Sequence, residues 1–169
     1  ENVEGINNVL CFHHPRGVNS IFNFYIEIDE KDNSQYVPYL SQGGLGLPNK
    51  GYYFDEDTRS VELREKYKNH IARVFDLIDL PVSLEEVEMI YGIEEKLAAC
   101  SRSQEENRDN NAKYNPYTVA EIAEQNPNFN WAKYFKGIGL KKKDKIIVQQ
   151  PEFFQTLDKL LVDIPIENW

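Results

Sequence analysis

From Gln42 to Gly51 the chain reads QGGLGLPNKG, and no helix or strand can run through it. Glycine takes positive φ without steric cost, and proline fixes its own φ and lacks a backbone donor. The run therefore divides the chain into two parts of different texture. Before it, SIFNFYIEID (20–29) puts Phe22, Phe24, Ile26 and Ile28 on one face and Asn23, Tyr25, Glu27 and Asp29 on the other, the period of a half-buried strand. EKDNS reads as a turn and QYVPYLSQ as the returning strand, with Pro38 confined to an edge or a bulge.

After Tyr53 the period changes to three and four. Residues 57–81 carry Val61, Tyr67, Ile71, Val74, Phe75 and Ile78 at helical spacing and stop before Pro81. Ser83 and Glu86 form a capping box for a second helix with a stripe through Leu84, Val87, Ile90, Leu97 and Ala98, antiparallel to the first. An exposed polar connection follows from Ser101. Thr118 and Glu121 then cap a short helix, NFNWAKYFKGIG offers another with Phe129 and Trp131 as buried anchors, and Pro151 opens a last one through Phe154, Leu157, Leu160 and Leu161. The expected fold class is mainly α: one domain, 1–169, with a β-hairpin at about 20–42, a glycine-rich loop at 42–51 and helices from about 58 onward.

Charge narrows the partners. With 28 acidic and 19 basic side chains the net charge is −9, the wrong sign for nucleic acid, whose binding is driven by Lys and Arg. KKKDK at 141–145 is the one locally basic stretch and reads as a solvated turn. No apolar run reaches the roughly 20 residues of a membrane helix. Cys11 and Cys100 fit neither a C-x-x-C motif nor a disulfide framework. The chain opens on ENVEGINN, with no Met and no signal-like segment, and is read as a piece of a longer protein.

Catalytic chemistry finds little to use. Gly44-Leu45-Gly46 lacks both the G-x-G-x-x-G spacing of a dinucleotide site and the Gly-Lys-Ser/Thr step of a P-loop, so a sharp turn with Leu45 and Leu47 pointing inward is expected instead. His13, His14 and His70 supply no H-E-x-x-H pair, and His70 is expected on a helix face, bonded to a carboxylate or a backbone carbonyl. Ser101 and Ser103 lie outside any G-x-S-x-G elbow. The carboxylates are spread over helix faces, where most are solvated or paired.

Read as a series, these segments resemble the neprilysin family of zinc endopeptidases, which includes endothelin-converting enzyme and bacterial PepO. QGGLGLPNKGYYFD (42–55) is similar to the family's Q-x-G-L-G-L-P-x-x-x-Y-Y, with Lys50-Gly51 where Arg-Asp is frequent. YKNHIARVFDLI resembles its Tyr-x-x-His-Ile helix. IEEKLAAC, ENRD, YNPY and FNW follow its Glu-x-x-Leu-Ala, Arg-Asp, Tyr-Asn-Pro and Phe-x-Trp segments in the same order, and the likeness covers about nine tenths of the chain.

The resemblance implies a segment of the N-terminal, non-catalytic lobe. In that family two mostly helical lobes close around a cavity, and the zinc site, H-E-x-x-H with a later E-x-x-x-D, belongs to the other lobe. It implies no catalytic, cofactor-binding or metal-binding residue in this chain, and zinc only in the catalytic lobe of the parent protein. That lobe would be the partner, and peptides would be the substrates of the whole. Family members usually work outside the cytoplasm, some bacterial ones within it. Gln42, Gly43, Gly44, Leu45, Gly46, Leu47, Pro48, Tyr52 and Tyr53 are the motif residues carried over, in a structural role as a hinge between hairpin and first helix, with Tyr52 and Tyr53 packing against neighbours. Two rivals stand beside this reading: a stand-alone helical binding module that docks a partner through exposed Tyr and Phe, and a family member whose catalytic lobe has lost its zinc ligands.

Overall fold

A computed structural model of the chain describes residues 2–141 and 144–169. In chain order it forms α1 (Val3–His13), β1 (Phe22–Asp29), β2 (Asp32–Gln42), α2 (Gly51–Phe54), α3 (Thr58–Leu77), α4 (Leu84–Cys100), α5 (Asn110–Lys113), β3 (Pro116–Tyr117), α6 (Val119–Gln125), α7 (Trp131–Gly137), β4 (Ile146–Val148) and α8 (Pro151–Asp163). The fold is mainly α, as expected. The expected hairpin is part of a larger sheet of order β1-β2-β4-β3, in which β4 runs parallel to β2 through Tyr39↔Ile147 and Leu40↔Val148. Pro38 pairs with Ile26 and sits one residue before that parallel pairing begins, so its missing donor breaks no bond to β4.

One face of the sheet carries the main core. Phe22, Leu40, Ile146 and Val148 pack there against Ile6 and Leu10 of α1, Trp131, Tyr134 and Phe135 of α7, and Phe153, Phe154, Leu157 and Leu161 of α8. The rings meet edge to face, with centroids 4.7 Å apart for Phe129–Trp131 and 5.5 Å for Phe22–Phe154, the arrangement their quadrupoles favour. His14 is buried in this core. Its Nε2–H donates to the Phe22 carbonyl and its Nδ1 accepts from the Tyr134 hydroxyl, while burial pushes its pKa down and keeps the ring neutral.

The expected inner face of β1 is only half right. Phe22 is buried, but Ile26 and Ile28 are 55% and 41% exposed, because the far end of the hairpin extends beyond the helices. Asp29, expected on the solvated face, is buried: a register shift falls between Ile28 and Asp29, and the carboxylate meets Lys145, the Tyr114 hydroxyl at 2.8 Å and the Lys31 N–H at 3.0 Å. Lys145 is thus an ion-pair partner as well as part of a basic turn. Lys142 and Lys143 of that turn lie outside the described residues.

Both capping boxes form as expected, and Asp57 caps α3. The helix stripes are narrower than the periodicity suggests. Ile71, Val87, Leu97 and Ala98 are buried, whereas Val74, Ile78 and, at 82%, Leu84 are exposed toward the tip that α3 and α4 share, and Val61 is exposed at the other end of α3. Asp79 takes φ 58° at that tip, in the left-handed place glycine usually fills, with Leu80 N–H on Phe75 O and Asp79 N–H on Asp76 O. His70 lies on the exposed face of α3 without the expected bond to a carboxylate or carbonyl among the described residues.

Candidate functional site

The glycine run leaves β2 at Gln42, whose side chain fastens a distant strand of chain. Its Nε2–H donates to Arg102 O at 3.0 Å and its Oε1 accepts from Arg102 N–H at 2.8 Å, so one carboxamide closes both backbone groups just past the end of α4. Gln150 Oε1 accepts from the Gln42 N–H, and Gln150 Nε2 donates to Asn107 Oδ1 at 2.8 Å. Asn107 in turn donates to the carbonyls of Arg102 and Ser103. The polar connection after α4 is therefore tied into the body by three carboxamides.

Two glycines are required by neighbouring protein atoms. Gly44 has φ 75°, and a Cβ there would lie 2.8 Å from both Ile21 O and Leu97 Cδ1. At Gly46 a Cβ would come within 1.8 Å of the Tyr67 hydroxyl oxygen. That hydroxyl is occupied: it donates to Glu94 Oε1 at 2.6 Å, while Tyr53 donates to Glu94 Oε2 at 2.6 Å and the Gly46 N–H reaches the same oxygen at 3.0 Å. Tyr53 also accepts the Leu47 N–H at 3.1 Å. Burial first, and the bond to the Glu94 carboxylate second, push both phenols well above the usual tyrosine range, so they stay protonated and keep donating.

The remaining motif residues have lesser parts. Leu47 and Tyr53 are buried, Leu45 is half-buried against both apolar clusters, Tyr52 is half-buried and offers its carbonyl to Arg64, Gly43 is half-buried, and Pro48 is exposed. Lys50 reaches past the loop to the carbonyls of Ala99 and Ser101 at 2.9 and 3.1 Å, where the negative end of the α4 dipole favours a cation. Arg102 forms a two-pronged pair with Glu152 and donates to Ala112 O. Between these groups opens a cleft of about 640 Å³ lined by the glycine loop, Asn19, Asn23, Gln104 and Asn107.

Sequence reasoning singled out the loop and missed what holds it. Glu94, Tyr67, Arg102 and Gln150 have no local signature for these contacts, although Glu94 heads the Glu-x-x-Leu-Ala pattern noted above. One hydroxyl of the cleft lining meets a base, Ser20 Oγ at 2.6 Å from His13 Nδ1, but no carboxylate bonds that ring among the described residues. Cys11 and Cys100 are free thiols, and burial raises the pKa of each. Among the described residues no three His, Cys, Asp or Glu side chains gather as a metal ion would need: His13 faces Ser20 Oγ, and His14 is enclosed in the core. The residues present do not fit a zinc site. The site's geometry suits binding or bracing.

The fold is shared with solved zinc metalloproteases, on which the chain superposes along nearly its whole length. The model of the N-terminal part of peptidase family M13 matches residues 1–169, and the chain belongs to that family. Neprilysin-3 of Drosophila melanogaster is 26% identical over 158 residues, 89% of this chain and 20% of that protein. Human endothelin-converting enzyme 1 is 26% identical over 147 residues, 83% of this chain and 19% of that protein. The zinc metalloprotease Zmp1 of Mycobacterium tuberculosis, solved with an inhibitor, superposes with a TM-score of 0.91 at 26% identity over 99% of this chain and 26% of its own. The chain thus spans about a fifth of the length of the curated relatives it matches.

Proposed function

We propose that this chain is a segment of the non-catalytic lobe of an M13 zinc metalloendopeptidase, covering the active-site cavity, limiting entry to peptides and inactive by itself. The observation that carries the reading is the family match along residues 1–169, joined to a superposition in which the same segment makes up only 26% of a zinc metalloprotease. The zinc-binding motif H-E-x-x-H does not occur in these 169 residues. Zinc and the reacting groups would belong to the catalytic lobe of the same polypeptide, which is the partner this reading requires, and peptides would be met through it.

A covering lobe needs a fixed shape more than reactive groups. The loop from Gln42 to Tyr53 supplies that as a brace: it joins the sheet to α3 and α4 through Gln42, Glu94, Tyr53 and Tyr67. The purified chain is expected to bind no stoichiometric zinc and to leave a bradykinin-sized peptide intact, read by metal analysis and mass spectrometry. Turnover of that peptide, abolished by a chelator, would overturn the reading.

A further inference from the structure

Two histidines stand at the end of α1, and the turn after them brings a hydroxyl back onto the first. His14 is anchored in the core by the Phe22 carbonyl and the Tyr134 hydroxyl. Gly17, at φ 75°, reverses the chain, with the Val18 N–H on His13 O, and Asn19 Oδ1 accepts the Phe24 N–H of β1. Between these fixed points Ser20 Oγ lies 2.6 Å from His13 Nδ1. In the Nε2–H tautomer the hydroxyl donates to Nδ1, the polarity in which an imidazole serves as base to a nucleophile.

This pair lines a cavity of about 570 Å³, the size of a small-molecule site. Ile6, Val9, Leu10, Ile21 and Ile166 give it apolar walls. Glu167 lines it and, among the described residues, no lysine or arginine does, which disfavours a carboxylate or a phosphate. Trp169 completes the lining, and its Nε1–H is buried without an acceptor among the described residues, where such donors are nearly always satisfied. Ser20, Ile21 and Trp169 also line a second hollow of about 290 Å³. The hydroxyl is thus shared by two hollows, one apolar enough for an acyl chain and one for the group beyond the carbonyl. A neutral ester meets each of these features: an aliphatic tail, no charge, and a carbonyl oxygen for the unspent indole donor.

We propose that Ser20 is a nucleophile, with His13 as its base, toward neutral carboxylic esters that carry a short aliphatic acyl chain. The Ser20 proton passes to His13 Nδ1 as Oγ bonds to the carbonyl carbon, whose oxygen takes the π pair and accepts from the Trp169 indole N–H. Collapse breaks the bond to the alkoxy oxygen, which leaves as the alcohol with the proton from Nδ1. Water then attacks the acyl-Ser20 ester, losing a proton to Nδ1, and the carboxylic acid departs as Ser20 recovers its proton. Glu167, in the same cavity, repels the ionised product. No carboxylate bonds the His13 ring among the described residues, so the pair works slowly, and an amide, whose amine leaves less readily than an alcohol, stays intact. The inference is independent of the lobe reading: chelator-sensitive cleavage of a peptide would sink that reading and leave this one standing.

Hydrolysis of p-nitrophenyl butyrate by the purified 169-residue chain tests it. The expected results are release of p-nitrophenolate, unaffected by a chelator, and a butyryl group that peptide mass spectrometry finds on Ser20 after acid quenching. The label is read in the unmodified chain and so does not depend on how any variant folds. Ser20→Ala retains the His13 imidazole and lowers kcat/KM about tenfold or more. Trp169→Phe keeps the apolar wall and removes the donor, lowering kcat about tenfold or more with KM little changed. The p-nitrophenyl hexanoate exceeds the acetate in kcat/KM about fivefold or more, as an apolar acyl pocket requires. A rate that survives either substitution, an acyl group found elsewhere than on Ser20, or no preference for the longer acyl chain would overturn the proposal.

Discussion

The core between α1, the sheet, α7 and α8 is held by rings and aliphatic side chains from three strands and several helices, whereas the glycine loop is held by one carboxylate, two phenols and the absence of two methyl groups. In the first region no single contact is decisive, because Phe22 alone meets Phe129, Trp131, Tyr134 and Phe154. In the second, Glu94 is the common acceptor of Tyr53, Tyr67 and Gly46, so one side chain fixes the path of the loop. Dense apolar packing spreads its strength over many small contacts; a polar hub concentrates it.

The contrast can be broken from either side. The largest loss is expected at Trp131, 2% exposed, where Trp131→Ala should cost about 3–5 kcal/mol in denaturant unfolding and lower the stability of the whole chain at once. Glu94→Ala comes next. It strands the hydroxyls of Tyr53 and Tyr67 and should cost about 2–3 kcal/mol, while an ultraviolet pH titration shows both phenols ionising at lower pH because a negative neighbour is gone. Smaller still, Gly46→Ala should cost about 1–3 kcal/mol by displacing Tyr67, and Gly44→Ala about 1–2 kcal/mol through its positive φ. Neither glycine variant changes nucleotide affinity, which calorimetry should find absent in the unmodified chain as well.

Acid sharpens the comparison at a third place. Burial would raise the Asp29 pKa, but the Lys145 hydrogen bond, with those from Lys31 N–H and Tyr114, outweighs it and holds the carboxyl at about 2, below its ordinary 3.8. A depressed carboxyl stabilises the fold fully above its unfolded value and loses that contribution as pH falls through the folded one. Stability should therefore decline between about pH 4 and pH 2, and Asp29→Asn should flatten that decline in thermal unfolding curves recorded across the range.

What the sequence disclosed follows the same division. Both capping boxes were legible because donor and acceptor lie three residues apart, and the hairpin because alternation is local. α1 was missed although Val3, Ile6, Leu10 and Cys11 keep helical spacing: Asn7 interrupts that inner face, where it is buried and donates to Asn130 O. β3 and β4, of two and three residues, are too short for any period to register. Lys145 looked like part of a solvated turn since its partner, Asp29, lies 116 residues earlier. The glycine loop announced itself by composition, but the atoms that make Gly44 and Gly46 necessary come from Ile21, Leu97 and Tyr67, and the carboxylate that clamps it from α4. Contacts of that range leave no mark on the local pattern.

The clamp itself is tested most directly by the exchange rate of one amide, Gly46 N–H, compared between the unmodified chain and Glu94→Gln. The account predicts that Gly46 is protected in the unmodified chain, and that the substitution removes this protection while leaving core amides such as Phe135 unchanged. Free exchange of Gly46 in the unmodified chain, or protection that survives the loss of the carboxylate, would contradict it.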